Sequence, residues 1–171
     1  LRRAANRDKK TAMLEHLMNS PPPAVADGST AERPRAADLA RGVSRLFDSM
    51  GCRVLIEFPL GNGRRVDVAA LDRRGTFIVV EIKSSLADYR TDGKWPEYLA
   101  FCDAFYFAVG SDFPLTALPA DVGVIVADAY QGAVVRPSPT APMSPARRKA
   151  LTLRFARTAA ARLQGLLDPR R

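Results

Sequence analysis

One histidine and two cysteines are all that this 171-residue chain holds of the side chains most used for transition-metal binding and nucleophilic catalysis. His16 stands alone in a segment that reads as peripheral, which argues against a histidine-based nuclease, a zinc site or a Ser-His-Asp hydrolase. Cys52 and Cys102 fit no metal or redox spacing, and isolated thiols of this kind are usually buried apolar residues of a reducing cytoplasm. No apolar run approaches the roughly 18 residues that suggest a membrane helix, so no membrane partner is expected. A secretory h-region is lacking near the start, and the expectation is a cytoplasmic chain.

Charge is plentiful and uneven. The net charge is +8. Residues 144–171 carry eight basic groups against one acidic, whereas residues 51–143 are slightly acidic. A strongly basic C-terminal segment suits a polyanion such as nucleic acid.

Residues 1–20 read as a short helix with Met13, Leu14, Leu17 and Met18 on one side. A proline-rich stretch from Ser20 to Pro34 then reads as a linker, so residues 1–35 form an arm and 36–171 the domain. Leu39, Val43, Leu46 and Phe47 predict a helix from about Ala36 to Met50. Strands follow at Arg53–Leu60, Arg65–Leu71 and Thr76–Lys83, joined through Gly61-Asn62-Gly63 and Asp72-Arg73-Arg74-Gly75. Leu86 to Cys102 reads as helical, restarting after Gly93. Ala104–Val109 is a buried strand, Val122–Ala127 another, and Ala133–Val135 its short hairpin partner. Ser144 and Pro145 open the last helix, docked by Leu151, Phe155, Leu163 and Leu166.

The three-strand meander carries the chemistry. Its turns set Asp67 opposite Val80 or Glu81, and Glu57 opposite Asp67. Lys83 shares the face of Glu81, because side chains alternate along a strand. A row of like charges destabilises a sheet unless a cation or ion pair neutralises it. Oxygen donors of this kind suit Mg²⁺, and a lysine beside them suits phosphodiester hydrolysis. Ordinary strand-end ion pairing is the plainer alternative.

The ordered set Arg64-Arg65-Val66-Asp67-Val68, Val80-Glu81-Ile82-Lys83-Ser84-Ser85, Lys94-Trp95-Pro96-Glu97-Tyr98 and Cys102–Val109 resembles the MmcB-type DNA repair proteins of bacteria, a branch of the PD-(D/E)XK nuclease superfamily. The similarity runs from about Asp38 to Leu163, with Val66 where the superfamily usually writes proline. It implies an α/β, restriction-endonuclease-like αβββαβ core with a mixed central sheet, flanking helices and a basic C-terminal helix. It implies one or two Mg²⁺ ions, with Mn²⁺ as a substitute. Asp67, Glu81 and the Ile82 carbonyl would be ligands, Lys83 would position the attacking water, and Glu57 is a geometric addition. DNA and other repair proteins would be the partners, in a nucleoid-associated setting. A homodimer is open, since small nucleases that cut both strands often pair.

Candidate DNA contacts are Arg64 and Arg65 beside Asp67, then Tyr89, Arg90 and Lys94, and Arg147, Arg148, Lys149 and Arg154 on the last helix. Arg157 and Arg162 extend that basic face. Trp95 and Tyr98 could stack on a base, although their helical spacing favours core packing. The competing readings are a non-catalytic DNA-binding or recruitment module, and an RNA-processing or restriction-type enzyme.

Overall fold

Gly63 and Gly75 take φ of 79° and 80°, a region that favours glycine, and each reverses the chain between strands. In the computed structural model, which describes residues 35–169, they help shape a meander of β1 (Arg53–Pro59), β2 (Arg65–Leu71) and β3 (Phe77–Lys83). The proposed N-terminal helix, His16 and the whole of the linker lie outside the described residues.

β4 (Ala104–Val109) and β5 (Gly123–Ala127) add in parallel to β3, and β6 (Gly132–Arg136) returns antiparallel. The six strands lie in the order β1-β2-β3-β4-β5-β6. β3 and β4 are buried along their whole length, as apolar strands covered on both faces must be.

Helix α1 (Ala36–Ser49) covers one face with Leu39, Val43 and Phe47 against Val68, Val80 and Tyr106. Gly42 lets it approach the β5–β6 turn, where a Cβ would collide with the carbonyl oxygens of Asp128 and Gln131. The other face carries Phe58, Phe77, Phe105 and Phe107, covered by the β3–β4 crossover and by helix α3 (Pro145–Leu167). Phe155 of α3 rests on Phe58 and Phe77 at ring distances of 5.6 and 5.9 Å. The Ser144 hydroxyl accepts from the Arg147 N–H, and Pro145 starts the helix.

Two expectations change. The crossover does break and restart after Gly93, but α2 (Leu86–Thr91) ends after six residues and the restarted piece, Trp95–Phe101, is a 3₁₀ helix and not an α-helix. Asp92 is extended there, and Pro96 offers no N–H to carry a helix across. Leu163 and Leu166 do not dock but are 57% and 81% exposed. A 23-residue helix is roughly 35 Å long, more than a seven-residue strand spans, so its last turns outrun the sheet. Trp95 and Tyr98 do pack inward, Trp95 stacked on Phe105 at 5.4 Å and Tyr98 buried.

Candidate functional site

The register of β2 and β3 pairs Val68 with Val80 and stops there. Asp67 and Glu81 follow at the open end of the hairpin. The Ile82 N–H donates to Asp67 Oδ2 at 2.8 Å, so this carboxylate continues a ladder that the main chains leave unfinished. Burial raises the Asp67 carboxyl above its ordinary range; the Ile82 bond opposes the rise and the charge of Glu57 adds to it.

Glu81 and Lys83 leave β3 on the same face, as the alternation requires. Lys83 Nζ lies 3.4 Å from Glu81 Oε1 and is 2% exposed. It also donates to Asp92 Oδ2 at 2.6 Å. Burial works against the Lys83 charge, but the bond to Asp92 and the charges of Glu81, Asp92 and Asp88 hold its pKa above the ordinary lysine value. Burial works to raise the Asp92 carboxyl, but its bonds to Lys83 and to the Lys94 N–H, together with the Lys83 charge, hold it below the usual carboxylate range. Glu81 is pushed up to about 8, first by burial and then by the neighbouring Asp67 charge. Its second oxygen, Oε2, is buried and receives no hydrogen bond from the described residues, and a protonated Glu81 can bond the Asp92 carboxylate, which adds to its raised pKa. Such an oxygen is costly unless a proton or cation meets it.

Glu57 is the least regular residue nearby. Its φ of +50° is the only positive value for a non-glycine among the described residues. The β1–β2 register keeps Ile56 on Val68 and Phe58 on Val66, so Glu57 does lie across from Asp67 without being counted as its pair. The left-handed backbone leaves its carboxylate 2.5 Å from Arg65 Nε. Arg162 of α3 donates to the Ile56 and Glu57 carbonyls at 2.6 and 2.8 Å. The expected row of three carboxylates is therefore a close pair, Asp67 and Glu81, with Glu57 at its margin in an ion pair.

The proposed DNA contacts have diverse surroundings. Arg64 makes a two-pronged bond to Glu97 at 2.8 and 2.9 Å. Tyr89 packs edge-on to Phe107 and Phe113. Arg90, Lys94, Lys149 and Arg154 are exposed. Arg147 donates to the Ala100 carbonyl and lies over the Phe101 ring. Arg148 grips the buried carboxylate of Asp103 at 2.7 and 2.5 Å, and so fastens α3 to the sheet. Past that anchor, Leu153, Arg154, Arg157 and Arg162 line a shallow groove of about 690 Å³.

Asp92 and Asp103 escaped the sequence reading. Asp92 meets Lys83 only because the crossover folds back over the strand, and no spacing rule announces that. Asp103, just before an apolar strand, was a visible buried-charge signal.

Among the described residues no group of three or more His, Cys, Asp or Glu side chains converges as a metal cage. The donors on offer are two carboxylates and the Ile82 carbonyl. These hard oxygens, one of them unpartnered, fit a cation that keeps several waters, as Mg²⁺ does.

The family profile described as DNA repair protein MmcB-like matches residues 21–170. The solved structure of a protein of unknown function from Silicibacter pomeroyi is 44% identical, with a TM-score of 0.75, over 84% of this chain and 95% of that one. No curated protein matches the chain.

Proposed function

Because the chain belongs to the MmcB-like family of DNA repair proteins, we propose that it is a PD-(D/E)XK-type, Mg²⁺-dependent deoxyribonuclease acting in repair. One observation carries the catalytic part: the buried, unpartnered Glu81 Oε2 beside Asp67, with Lys83 against the other oxygen. Asp67, Glu81 and the Ile82 carbonyl would hold the ion. When bound, Mg²⁺ would polarise the phosphodiester and make water a better nucleophile.

The chain's own residues supply the rest. Glu81, pushed up to about 8, would have to release its proton to hold a cation. Lys83 keeps its proton at neutral pH, so it serves as a fixed positive charge against the phosphate and not as a base. Asp92 orients that ammonium, and Asp67 is oriented by the Ile82 N–H.

A second reading is a recruitment module working with repair or translesion-synthesis partners. It is favoured by the near-complete burial of Lys83 and its 2.6 Å bond to Asp92, which draw it away from any substrate.

The two separate in one experiment. Mg²⁺ and then Mn²⁺ are titrated into the full chain with labelled single-stranded, nicked and forked DNA. The expected result is metal-dependent cleavage, lost in Asp67→Asn and Lys83→Ala while circular dichroism is unchanged. Binding without cleavage under every condition would overturn the nuclease reading in favour of recruitment.

A further inference from the structure

Helix α1 serves the molecule with two faces. Leu39, Val43 and Phe47 are buried on the sheet. Beside them Ala37, Ala40, Arg41 and Ser44, spaced as one helical flank, look onto Ile56, Glu57, Asp67 and Ile82 across a cleft of about 530 Å³. That volume falls within the ~300–1,000 Å³ of ligand sites. The cleft thus opens on the carboxylate described above, and neither its helix wall nor Arg41 belongs to the catalytic set.

Charge and apolarity are sorted within it. Arg41 is exposed and makes no hydrogen bond or ion pair with any described residue. Its basic neighbours are engaged: Arg65 by Glu57, Arg162 by two main-chain carbonyls, Lys83 by Glu81 and Asp92. The Ser44 hydroxyl is also satisfied, donating to the Ala40 carbonyl at 2.7 Å. Asp67 and Glu57 make the floor acidic, so an anion entering there needs a cation close by, and among the described residues Arg41 is the one at hand. Across from Arg41, Ile56 is 48% exposed although it sits on a strand, and the alanine methyls face the same space.

We infer that this cleft receives one unpaired nucleotide, its phosphate on Arg41 and its base against Ile56 and the alanines, beside Asp67. A base in a duplex keeps both faces covered by its neighbours and offers nothing to such a wall. A single-stranded or extruded base does. The substrate class is then DNA with at least one unpaired nucleotide. This rests on the DNA reading of the site and is independent of cleavage.

The test is fluorescence anisotropy of the full chain in EDTA, with one labelled oligonucleotide as single strand and as duplex, over a series of salt concentrations. Wild type should prefer the single strand. Arg41→Ala should weaken single-strand binding roughly five- to tenfold and flatten its log–log salt slope by about 0.7, the share of one phosphate, with duplex binding unchanged. Ile56→Ser should weaken single-strand binding at an unchanged slope, because it removes no charge. Arg41→Lys should keep the slope. An unaltered slope in Arg41→Ala, an equal loss on duplex, or no single-strand preference in wild type would overturn the inference. Cleavage is scored separately in Mg²⁺. A protein that binds as described but never cuts keeps this pocket and loses the nuclease, and one that cuts without regard to Arg41 and Ile56 does the reverse.

Discussion

Raising the pH of the metal-free protein from about 5 to about 8 should cost it stability, chiefly through Glu81. Its carboxyl ordinarily titrates at 4.5, and in the fold it is pushed up to about 8 by burial and by Asp67. Between those values the folded protein holds a proton that the unfolded chain has released. The stability is fully present below 4.5 and is lost as the pH climbs through 8, after which the curve levels. At 1.36 kcal/mol per pH unit the gap corresponds to an effect of the order of 5 kcal/mol. Solvent screening takes little from it, because Glu81 is only 6% exposed. Asp67 shifts in the same direction, whereas Asp92 and Asp103 are depressed and act only in acid. Glu81→Gln isolates the contribution, since glutamine mimics the protonated form. Urea unfolding in EDTA, followed by the fluorescence of Trp95 at half-unit pH steps, should give a falling curve for wild type and a much flatter one for the variant. Millimolar Mg²⁺ should flatten the wild-type curve and leave the variant alone, because the cation replaces the proton. Parallel curves for the two proteins would refute the reasoning.

Two further perturbations test the last helix. Arg148→Ala leaves the buried Asp103 carboxylate without its cation and should lower stability by about 2–3 kcal/mol in urea unfolding; an unmoved midpoint would mean that the pair does not anchor α3. Changing Lys149, Arg154 and Arg157 together to glutamine should leave stability within about 0.5 kcal/mol and flatten the duplex salt slope by about 0.9 for each phosphate these side chains neutralise. An unchanged slope would remove the exposed face of α3 from the DNA surface.

Much of the fold is legible in the chain itself. Alternation and turn chemistry place β1, β2 and β3, and the unbroken apolar run at Ala104–Val109 announces a strand covered on both sides. The same hairpin logic brings Asp67 to Glu81 and Lys83 onto the face of Glu81. Those are local rules, and a sheet obeys them wherever its turns are short. They fail over longer reach. Leu163 and Leu166 have the spacing of a docked face, but docking needs a sheet beneath them, and α3 has run past it. Arg148 and Arg154 read alike along the chain; only the folded protein gives one of them Asp103 as a partner.

The sequence by itself determined the order of the elements and the strand-end placement of Asp67, Glu81 and Lys83, because periodicity and turns act within a few residues. The tertiary structure decided what surrounds those charges. It brought Asp92 over Lys83 from the crossover, turned Glu57 to Arg65 through a left-handed backbone, and set the flank of α1 opposite Ile56. It also left one oxygen of Glu81 buried without a hydrogen-bond donor among the described residues. Such contacts join residues far apart along the chain, and only packing, which buries some groups and exposes others, chooses among them.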